Sequence, residues 1–568
     1  MKKQKNYPLY EVTKFNDFKE VLDIAVKEDG DNFAFKYKDS VNSDIVHEIT
    51  YKQFRNDTFY LGTALKNKNL SHLHIACVGE NSYEYVVAYL TMLNSDGVFV
   101  PIDRELPMTD IINVLNDSDS EVVFYSKAFE NQFKDNINKL PNIKLFIGFE
   151  RAEDEGIFLS YNKFIKEGEQ LYNNGDISYV NITPVKQEMK LLVYTSGTTG
   201  MAKGVMLSLH NLCSLIYYGL QISTVYDTCL SVLPYHHTYE SVCGLLVSIH
   251  MHATICINDK LRNVLKNLQL FKPSYIYLVP AFAESFYKKI NASIVEQGKE
   301  KVFKNMIKVS NNLRNVGIDM RKTFFKSIHE SFGGRLRKIV CGGAPIRPEI
   351  GQFFDDIGIS LVNGYGITEC SPLVSVNRDK FNDFNTAGVK VPCIDIKIDN
   401  VNEDGQGEIC VKGDSVMIGY YKNESETAKV LIDGWFYTGD YGNLNEHGQL
   451  AITGRKKNLI VLSNGKNIYP EEIENYIMSI PYVSEVVVYA IKDTNGEESA
   501  LCAEAYLNDE MLNEMQITTP LENLKKDISS VCRMLPPYKQ IQKIILRKEE
   551  FDKTTSKKIK RGNIIKNY

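Results

Sequence analysis

The chain has 568 residues, which is too long for one ordinary core, so two or more domains are expected. Hydrophobic residues make up 43% and charged residues 24%, as in a soluble globular protein rather than a disordered one. The net charge of −5 argues against a nucleic-acid-binding protein.

Eleven cysteines are scattered without a C-x-x-C pair or a zinc-binding spacing, which favours reduced thiols in the cytoplasm. The N-terminus has two early lysines but no apolar stretch after them, so we predict no signal peptide. Apolar runs such as 86–93 are too short to cross a membrane. Peripheral contact with a membrane surface stays open.

The elements predicted in chain order alternate between strand and helix. After an entry segment over 1–70 with one or two helices, the pattern predicts strands at 74–78, 98–102, 121–125 and 144–149, and a helix at 82–94. Beyond residue 208 it predicts helices at 208–219, 239–252 and within 281–332, and strands at 228–233, 254–257, 274–279, 336–341 and 360–363. This alternation predicts an α/β fold with helix-flanked, mostly parallel sheets.

The texture changes twice further along the chain. From residue 387, short β segments separated by Asn, Asp and Gly predict a β-rich lobe. After 457 the pattern predicts a strand pair, a helix from 471, strands at 483–491 and 500–507 and a helix at 521–534. We therefore predict a large N-terminal domain over 1–456 and a small, mobile C-terminal α+β domain over 457–568.

The stretch 191–208 reads LLVYTSGTTGMAKGVMLS, and the other motifs are arranged around it. An apolar strand runs into small residues whose backbone N–H groups and hydroxyls can surround an anion, while Lys203 adds a positive charge. It is neither a Walker A loop, which needs Gly before the Lys, nor a G-x-G-x-x-G fingerprint. A plain surface turn is the alternative. The candidate phosphate-binding residues are Thr195, Ser196, Gly197, Thr198, Thr199, Gly200 and Lys203.

Two further motifs follow predicted strands. In the first, VCGGAP, a glycine turn at Gly343, Ala344 and Pro345 lets a flat ring approach the backbone. In the second, the flanking glycines expose an aromatic ring for stacking on a base, and Thr368 and Glu369 offer oxygen ligands for Mg²⁺ and phosphate. The alternative is a core tyrosine and a surface charge. This second group consists of Asn363, Gly364, Tyr365, Gly366, Thr368 and Glu369.

YTSGTTGMAKGV and Y-G-x-T-E resemble two signatures of the adenylate-forming superfamily, which contains acyl- and aryl-CoA synthetases, nonribosomal adenylation domains and luciferases. Where this chain has Ala202, the family usually has Pro. The resemblance implies that the second signature contacts adenine, the α-phosphate and the metal. It extends from Tyr194 to Arg561 and so covers nearly the whole chain beyond the entry segment.

Other residues take their roles from this resemblance. Asp440 in YTGD resembles the aspartate that bridges the ribose hydroxyls, and Arg455 the arginine that contacts ribose or phosphates. His237 in LPYHHTYE corresponds to a histidine that lines the acyl pocket; for a single histidine, a hydrogen-bonded structural role is the alternative. Lys457 aligns with the hinge, although the adjacent Lys456 could take that place.

At the C-terminal end, KTTSKKIKR resembles the motif of the catalytic lysine and places that residue at Lys558, with Lys557 where Gly is common. The alternative is a solvated basic tail. In the family, the C-terminal domain then rotates, and the loop at Gly465 lines a tunnel for the pantetheine arm.

The resemblance implies ATP and Mg²⁺ as cofactors and coenzyme A as a substrate. The helical insert 281–332 and ECSPLVSVNRD are most similar to bacterial long-chain-fatty-acid–CoA ligases. The chain ends at Tyr568 without an appended carrier domain, which argues against a multimodular peptide synthetase. Two alternatives remain: a ligase that charges a separate acyl carrier protein, and a non-catalytic sensor of nucleotide or acyl-adenylate.

Overall fold

The computed structural model describes residues 6–39, 43, 45–195, 202–403, 405–462, 467–492, 498–533, 535–553, 559–561 and 564. The chain divides into two compact units. The first comprises Met1–Ile396, Val411–Phe436 and Gly448–Leu450; the second comprises Lys397–Cys410, Tyr437–His447 and Ala451–Tyr568.

The first unit contains an eight-stranded sheet whose centre is parallel. Its strands run in the order Gly419–Tyr420, Lys203–Ser208, Met189–Thr195, Val98–Ile102, His74–Val78, Val122–Tyr125, Leu145–Gly148 and Phe158–Ser160. The accompanying helices are Tyr51–Asn67, Tyr83–Leu93, Met108–Asp117, Glu130–Asp135 and Tyr161–Asn173. The strands read as continuous apolar runs because both faces of the sheet are covered.

A nine-stranded sheet also lies in the first unit. Its order is Val389–Lys390, Leu373–Val376, Ser360–Gly366, Lys338–Cys341, Tyr275–Leu278, Thr228–Ser231, Thr254–Ile257, Phe33–Tyr37 and His47–Thr50. Its helices are Phe18–Asp29, Leu209–Ile222, Tyr239–Leu246, Val247–His250, Val264–Phe271, Pro280–Glu296, Glu300–Asn315, Arg321–Phe324, Lys326–Ser331 and Pro348–Ile357. The Tyr239–Leu246 segment is a π-helix, a wide form that often occurs at functional sites.

The β-rich lobe is a five-stranded sheet of Ile394–Asp399, Gly407–Gly413, Trp435–Leu444 and Leu431–Ile432, with Leu450–Arg455 paired to the third of these. A short helix, Glu424–Val430, precedes Leu431. Beyond the lobe, Ile460–Val461 pairs with Asn467–Ile468. A three-stranded sheet of Val483–Lys492, Glu498–Leu507 and Lys543–Leu546 follows, with helices Pro470–Ile477, Asp509–Glu514 and Pro520–Val531.

The predicted α/β class, the β-rich lobe and the small C-terminal α+β region are confirmed. Helix starts follow local chemistry: Ser82 accepts a hydrogen bond from the backbone of Tyr85, and Ser208 forms a capping box with Asn211. The predicted domain boundary at 456/457 lies inside the second unit. That this position is a hinge stays a prediction.

Candidate active site

The predicted phosphate loop is the connection of a β-hairpin. Met189–Thr195 pairs antiparallel with Lys203–Ser208, and Thr195 is the register partner of Lys203. The two ends of the loop therefore lie side by side, which a strand-to-helix phosphate loop would not give. The predicted loop residues Ser196, Gly197, Thr198, Thr199 and Gly200 lie outside the described residues.

Lys203 forms an ion pair that the sequence did not reveal. Its Nζ lies 2.6 Å from Oε2 of Glu426 and 5.1 Å from the centre of the Tyr420 ring. Hydrogen bonds from Lys203 and Lys429 lower the pKa of the Glu426 carboxyl to about 2. Glu426 lies in the helix Glu424–Val430, whose start is capped by Asn423. Lys203 is thus held by a carboxylate at the end of the loop.

The predicted metal ligand Glu369 lies against the same tyrosine. The Tyr420 hydroxyl donates to Oε1 of Glu369 at 2.9 Å. Tyr420 belongs to the edge strand Gly419–Tyr420, which pairs with the strand of Lys203. Burial and the neighbouring Glu369 carboxylate raise the pKa of Tyr420, so its hydroxyl stays a donor. One tyrosine therefore contacts both Lys203 and Glu369, which are far apart in sequence.

The two glycine-containing motifs lie where two neighbouring strands of the nine-stranded sheet reach its carboxyl edge. Lys338–Cys341 and Ser360–Gly366 are parallel neighbours, with Cys341 opposite Asn363. Gly343 has φ +85°, a conformation that side chains rarely adopt, and Ala344 and Pro345 beside it are exposed. Backbone at the carboxyl edge of a parallel sheet is where such folds bind ligands.

The second motif differs from the prediction. We expected the strand to end at Asn363, but the strand Ser360–Gly366 continues through Gly364, Tyr365 and Gly366. From Gly364 it exchanges its parallel neighbour for the antiparallel strand Leu373–Val376, with Tyr365 opposite Ser375. A Cβ on Gly366 would lie 2.3 Å from the carbonyl oxygen of Pro372, so close backbone pairing requires glycine there. Thr368 and Glu369 follow in a short 3₁₀ turn.

His237 lies in the loop between Thr228–Ser231 and the π-helix, and it is exposed. The adjacent His236 lies 3.5 Å from Asp103, and burial lowers its pKa. Glu240, in the π-helix that follows this loop, is fully buried and accepts a hydrogen bond from the Ser231 hydroxyl, at the end of the strand before the loop. Burial raises the pKa of Glu240 to about 8. The motif LPYHHTYE contained Glu240, but its residue type alone indicated no role.

The second unit contains Asp440 and Arg455. Asp440 is buried, and Arg455 Nε lies 3.1 Å from its Oδ1. The turn before it is fixed by Thr438, whose hydroxyl donates to the carbonyl oxygen of Ile409 and accepts from the Asp440 N–H. The predicted ribose aspartate and its arginine are therefore adjacent.

The two hinge candidates have different surroundings within the second unit. Lys456 Nζ lies 2.6 Å from Oε2 of Glu408, whose Oε1 accepts from the Gly439 N–H. The pKa of Lys457 is lowered, first by burial and then by Arg455 and Arg561. Gly465 and Lys558 lie outside the described residues, although Lys553 and Ile559 pair across the segment that contains Lys558.

Two solved structures illustrate the likeness of this fold to known ones. An anthranilate CoA ligase bound to anthranoyl-AMP has a TM-score of 0.76 at 18% identity, over 98% of each chain. An A-PCP didomain of a carboxylic acid reductase from Segniliparus rugosus, bound to AMP, has a TM-score of 0.79 at 18% identity, covering 98% of this chain and 81% of that one. At such identities the likeness defines the fold class alone.

The sequence comparison identifies the family. The AMP-binding enzyme model matches residues 22–421 and the AMP-binding enzyme C-terminal domain model matches 472–558. The chain belongs to the AMP-binding enzyme family. It is 28% identical over 503 residues to long chain acyl-CoA synthetase 4 of Arabidopsis thaliana, covering 82% of this chain and 74% of that protein. It is 30% identical over 480 residues to long-chain-fatty-acid–CoA ligase 5 of Mus musculus, covering 78% and 69%.

Among the helices that the structure describes, none combines the length and the apolar character needed to cross a bilayer.

Proposed function

We propose that the protein is an AMP-forming acid–thiol ligase that activates a long-chain fatty acid with ATP and transfers the acyl group to coenzyme A. The relatives named as long-chain acyl-CoA synthetases and ligases support the substrate class, because they match most of this chain. One observation in the molecule carries the proposal. Tyr420 contacts both Lys203 and Glu369, next to the β-hairpin that contains the predicted phosphate loop.

This arrangement suits a polyphosphate. When the nucleotide arrives, Lys203 exchanges its ion pair with Glu426 for one with the phosphate oxygens of ATP. Glu369 presents an oriented carboxylate, the type of ligand that Mg²⁺ prefers, and it would hold that ion with Thr368 nearby. When bound, Mg²⁺ would supply positive charge to the phosphate oxygens.

Two transfers follow from this placement. A carboxylate oxygen of the acid attacks the α-phosphorus, and the bond from that phosphorus to the pyrophosphate oxygen breaks. In the second transfer the coenzyme A thiolate attacks the acyl carbonyl, and AMP leaves with the electron pair of the carbon–oxygen bond. Lys203 stabilises the charge that develops on the phosphates, so its contribution is greatest in the first transfer.

The remaining motif residues have proposed roles in binding ATP, the acid and coenzyme A. Adenine would lie on the exposed backbone at Gly343–Pro345 and against Tyr365, and Asp440 with Arg455 would bind the ribose hydroxyls. His237 would line the acyl pocket. We assign the hinge to Lys457, because Lys456 is paired with Glu408, and we assign Lys558 to adenylation and Gly465 to the pantetheine tunnel.

The test is AMP release from ATP and Mg²⁺ with acids of graded chain length and with benzoate, each with and without coenzyme A. We expect AMP and acyl-CoA to appear in equal amounts, with the highest rate for long saturated acids. Pyrophosphate exchange without acyl-CoA would indicate a separate carrier protein as acceptor. A peak for benzoate would overturn the fatty-acid assignment, and no turnover of any acid would favour the sensor.

A further inference from the structure

The helices Pro280–Glu296 and Glu300–Asn315 carry an apolar surface that the core does not use. Val295, Val302, Val309 and Val316 are 56%, 57%, 50% and 73% exposed. They recur every seven residues, so the three that belong to the second helix and its C-cap lie along one side of it. We call Val302, Val309 and Val316 the valine row.

The orientation of the second helix is fixed by its opposite side. Phe303 and Ile307 pack against the hydrophobic core that the nine-stranded sheet forms with its helices. Asn311 donates to Asp356 at 3.0 Å, and Arg314 pairs with Asp355 at 2.9 Å. At 3.6 residues per turn, Asn311 lies about 160° around the helix from Val309. The valine row therefore faces away from the helix Pro348–Ile357 to which this helix is tied.

A row of lysines runs beside the valines. Lys301, Lys304 and Lys308 are exposed and follow i, i+3, i+7 spacing, so they line one strip of the same helix. Within the part of the chain that the structure describes, these three lysines form no ion pair. Residues 281–330 hold ten Lys and Arg against five Asp and Glu, in a chain whose net charge is −5. We call Lys301, Lys304 and Lys308 the lysine row.

We propose that this surface docks on an anionic phospholipid bilayer, with the valine row in the apolar boundary and the lysine row at the headgroup phosphates. Apolar and basic strips side by side on one helix are the pattern of interfacial membrane binding. Contact surfaces between proteins favour aromatic residues and disfavour lysine, and this surface has the opposite composition. The inference is independent of the proposed function, because vesicle binding needs neither ATP nor an acid.

The experiment is co-sedimentation of the full chain with vesicles of phosphatidylcholine alone and of phosphatidylcholine mixed with phosphatidylglycerol. We expect binding to the mixed vesicles and its loss at high salt, because the Debye length shortens. The triple variant K301Q/K304Q/K308Q should lower the partition coefficient about a hundredfold, at about fivefold for each lysine. The matched control K52Q/K127Q/K166Q removes the same charge from other exposed sites and should bind like the parent.

A second pair of variants tests the apolar contact. V302S/V309S should abolish sedimentation, whereas I177S/V185S, which changes two comparably exposed residues elsewhere, should not. AMP formation with a water-soluble acid should be unchanged in all four variants, which reports that each has folded. Equal binding to both vesicle types, or full binding by V302S/V309S, would overturn the proposal. So would a fall in oligomeric mass for V302S/V309S without a change in sedimentation, because a second copy would then cover the surface.

Discussion

Two glutamates of the first unit, Glu426 and Glu240, have opposite electrostatic surroundings. Glu426 accepts hydrogen bonds from Lys203 and Lys429, and these cations lower its pKa to about 2. Glu240 is fully buried, is bonded by the Ser231 hydroxyl, and has no cation partner within the described ranges. Burial raises its pKa to about 8.

The same type of side chain therefore has two different charge states in this protein. Glu426 is charged throughout the physiological range and holds a lysine that another anion can take over. With this raised pKa, Glu240 is protonated at neutral pH and acts as a neutral hydrogen-bonding partner of Ser231. The charged state of Glu426 thus depends on its two lysine partners, whereas the neutral state of Glu240 depends on its burial.

The largest effect is expected for Lys203→Met. Removing a cation that stabilises transferring phosphates should lower kcat/KM for adenylation about a hundred- to a thousandfold. The measurement is pyrophosphate exchange at saturating acid. Lys429→Met is the matched control, because Lys429 contacts the same Glu426 carboxylate but is mostly exposed, and it should remain near the parent rate. Equal losses of kcat/KM in both variants would mean that Lys203 supports activity by stabilising the folded structure and not by contacting the phosphates.

Glu240→Gln should change the pH dependence of stability. The folded chain retains a proton between pH about 4.5 and 8 that the unfolded chain releases, so the parent loses stability as pH rises through that window. At pH 7 this loss is about 3 kcal/mol, at about 1.4 kcal/mol for each pKa unit. We expect Glu240→Gln to equal the parent near pH 4.5 and to unfold at higher temperature near pH 8.

The control for that experiment is Glu504→Gln. Glu504 is also buried, but Arg547 pairs with it at 2.6 Å. Its variant leaves a charge unpaired and should be less stable than the parent at pH 8. A Glu240→Gln protein that is less stable than the parent at both pH values would contradict the neutral state of Glu240.

Asp440 extends the comparison to the second unit, because it is buried like Glu240 and paired with a cation like Glu426. Asp440→Asn should raise KM for ATP about tenfold, since a charged acceptor for hydroxyl donors is lost. Initial rates at varied ATP concentration measure it. Asp433→Asn is the control, because Asp433 is exposed and has φ +53°, a conformation that Asn also tolerates. An unchanged KM in Asp440→Asn would remove the ribose assignment.

The smallest effect is expected for Tyr420→Phe. The ring near Lys203 remains, but Glu369 loses a hydrogen bond worth about 1 kcal/mol. We expect the Mg²⁺ concentration for half-maximal rate to rise about fivefold, with little change at saturating Mg²⁺. In Tyr421→Phe, the neighbouring hydroxyl that donates to Asp119 is lost instead, and the Mg²⁺ dependence should not move. A shift in both variants would contradict a specific role for Tyr420.

The sequence predicted those features that depend on short-range pattern. His74–Val78, Val98–Ile102 and Thr254–Ile257 are strands with the predicted bounds, because apolar runs between helical patterns report buried parallel strands. Asp440 and Arg455 were singled out by resemblance to the adenylate-forming superfamily, and the structure pairs them; their role stays a prediction.

The remaining features depend on pairing between distant segments. Tyr420 and Glu426 follow the phosphate motif by more than 200 residues, and nothing local marks them as partners of Lys203. That Lys203–Ser208 forms a strand, and that Ser360–Gly366 exchanges parallel for antiparallel neighbours, is decided by the sheet. The pKa of Glu240 depends on its burial, which residue type does not disclose.

The hairpin that ends at Lys203 also constrains how this chain can change during evolution. Side chains alternate between the two faces of a strand, so the face on which Lys203 meets Glu426 depends on the count of residues between Lys203 and Ser208. An insertion or deletion of one residue within that strand would turn the ammonium group to the other face. The same change in the loop between the two strands would leave the pairing of Thr195 with Lys203 intact. A change in length is therefore not expected within the strand.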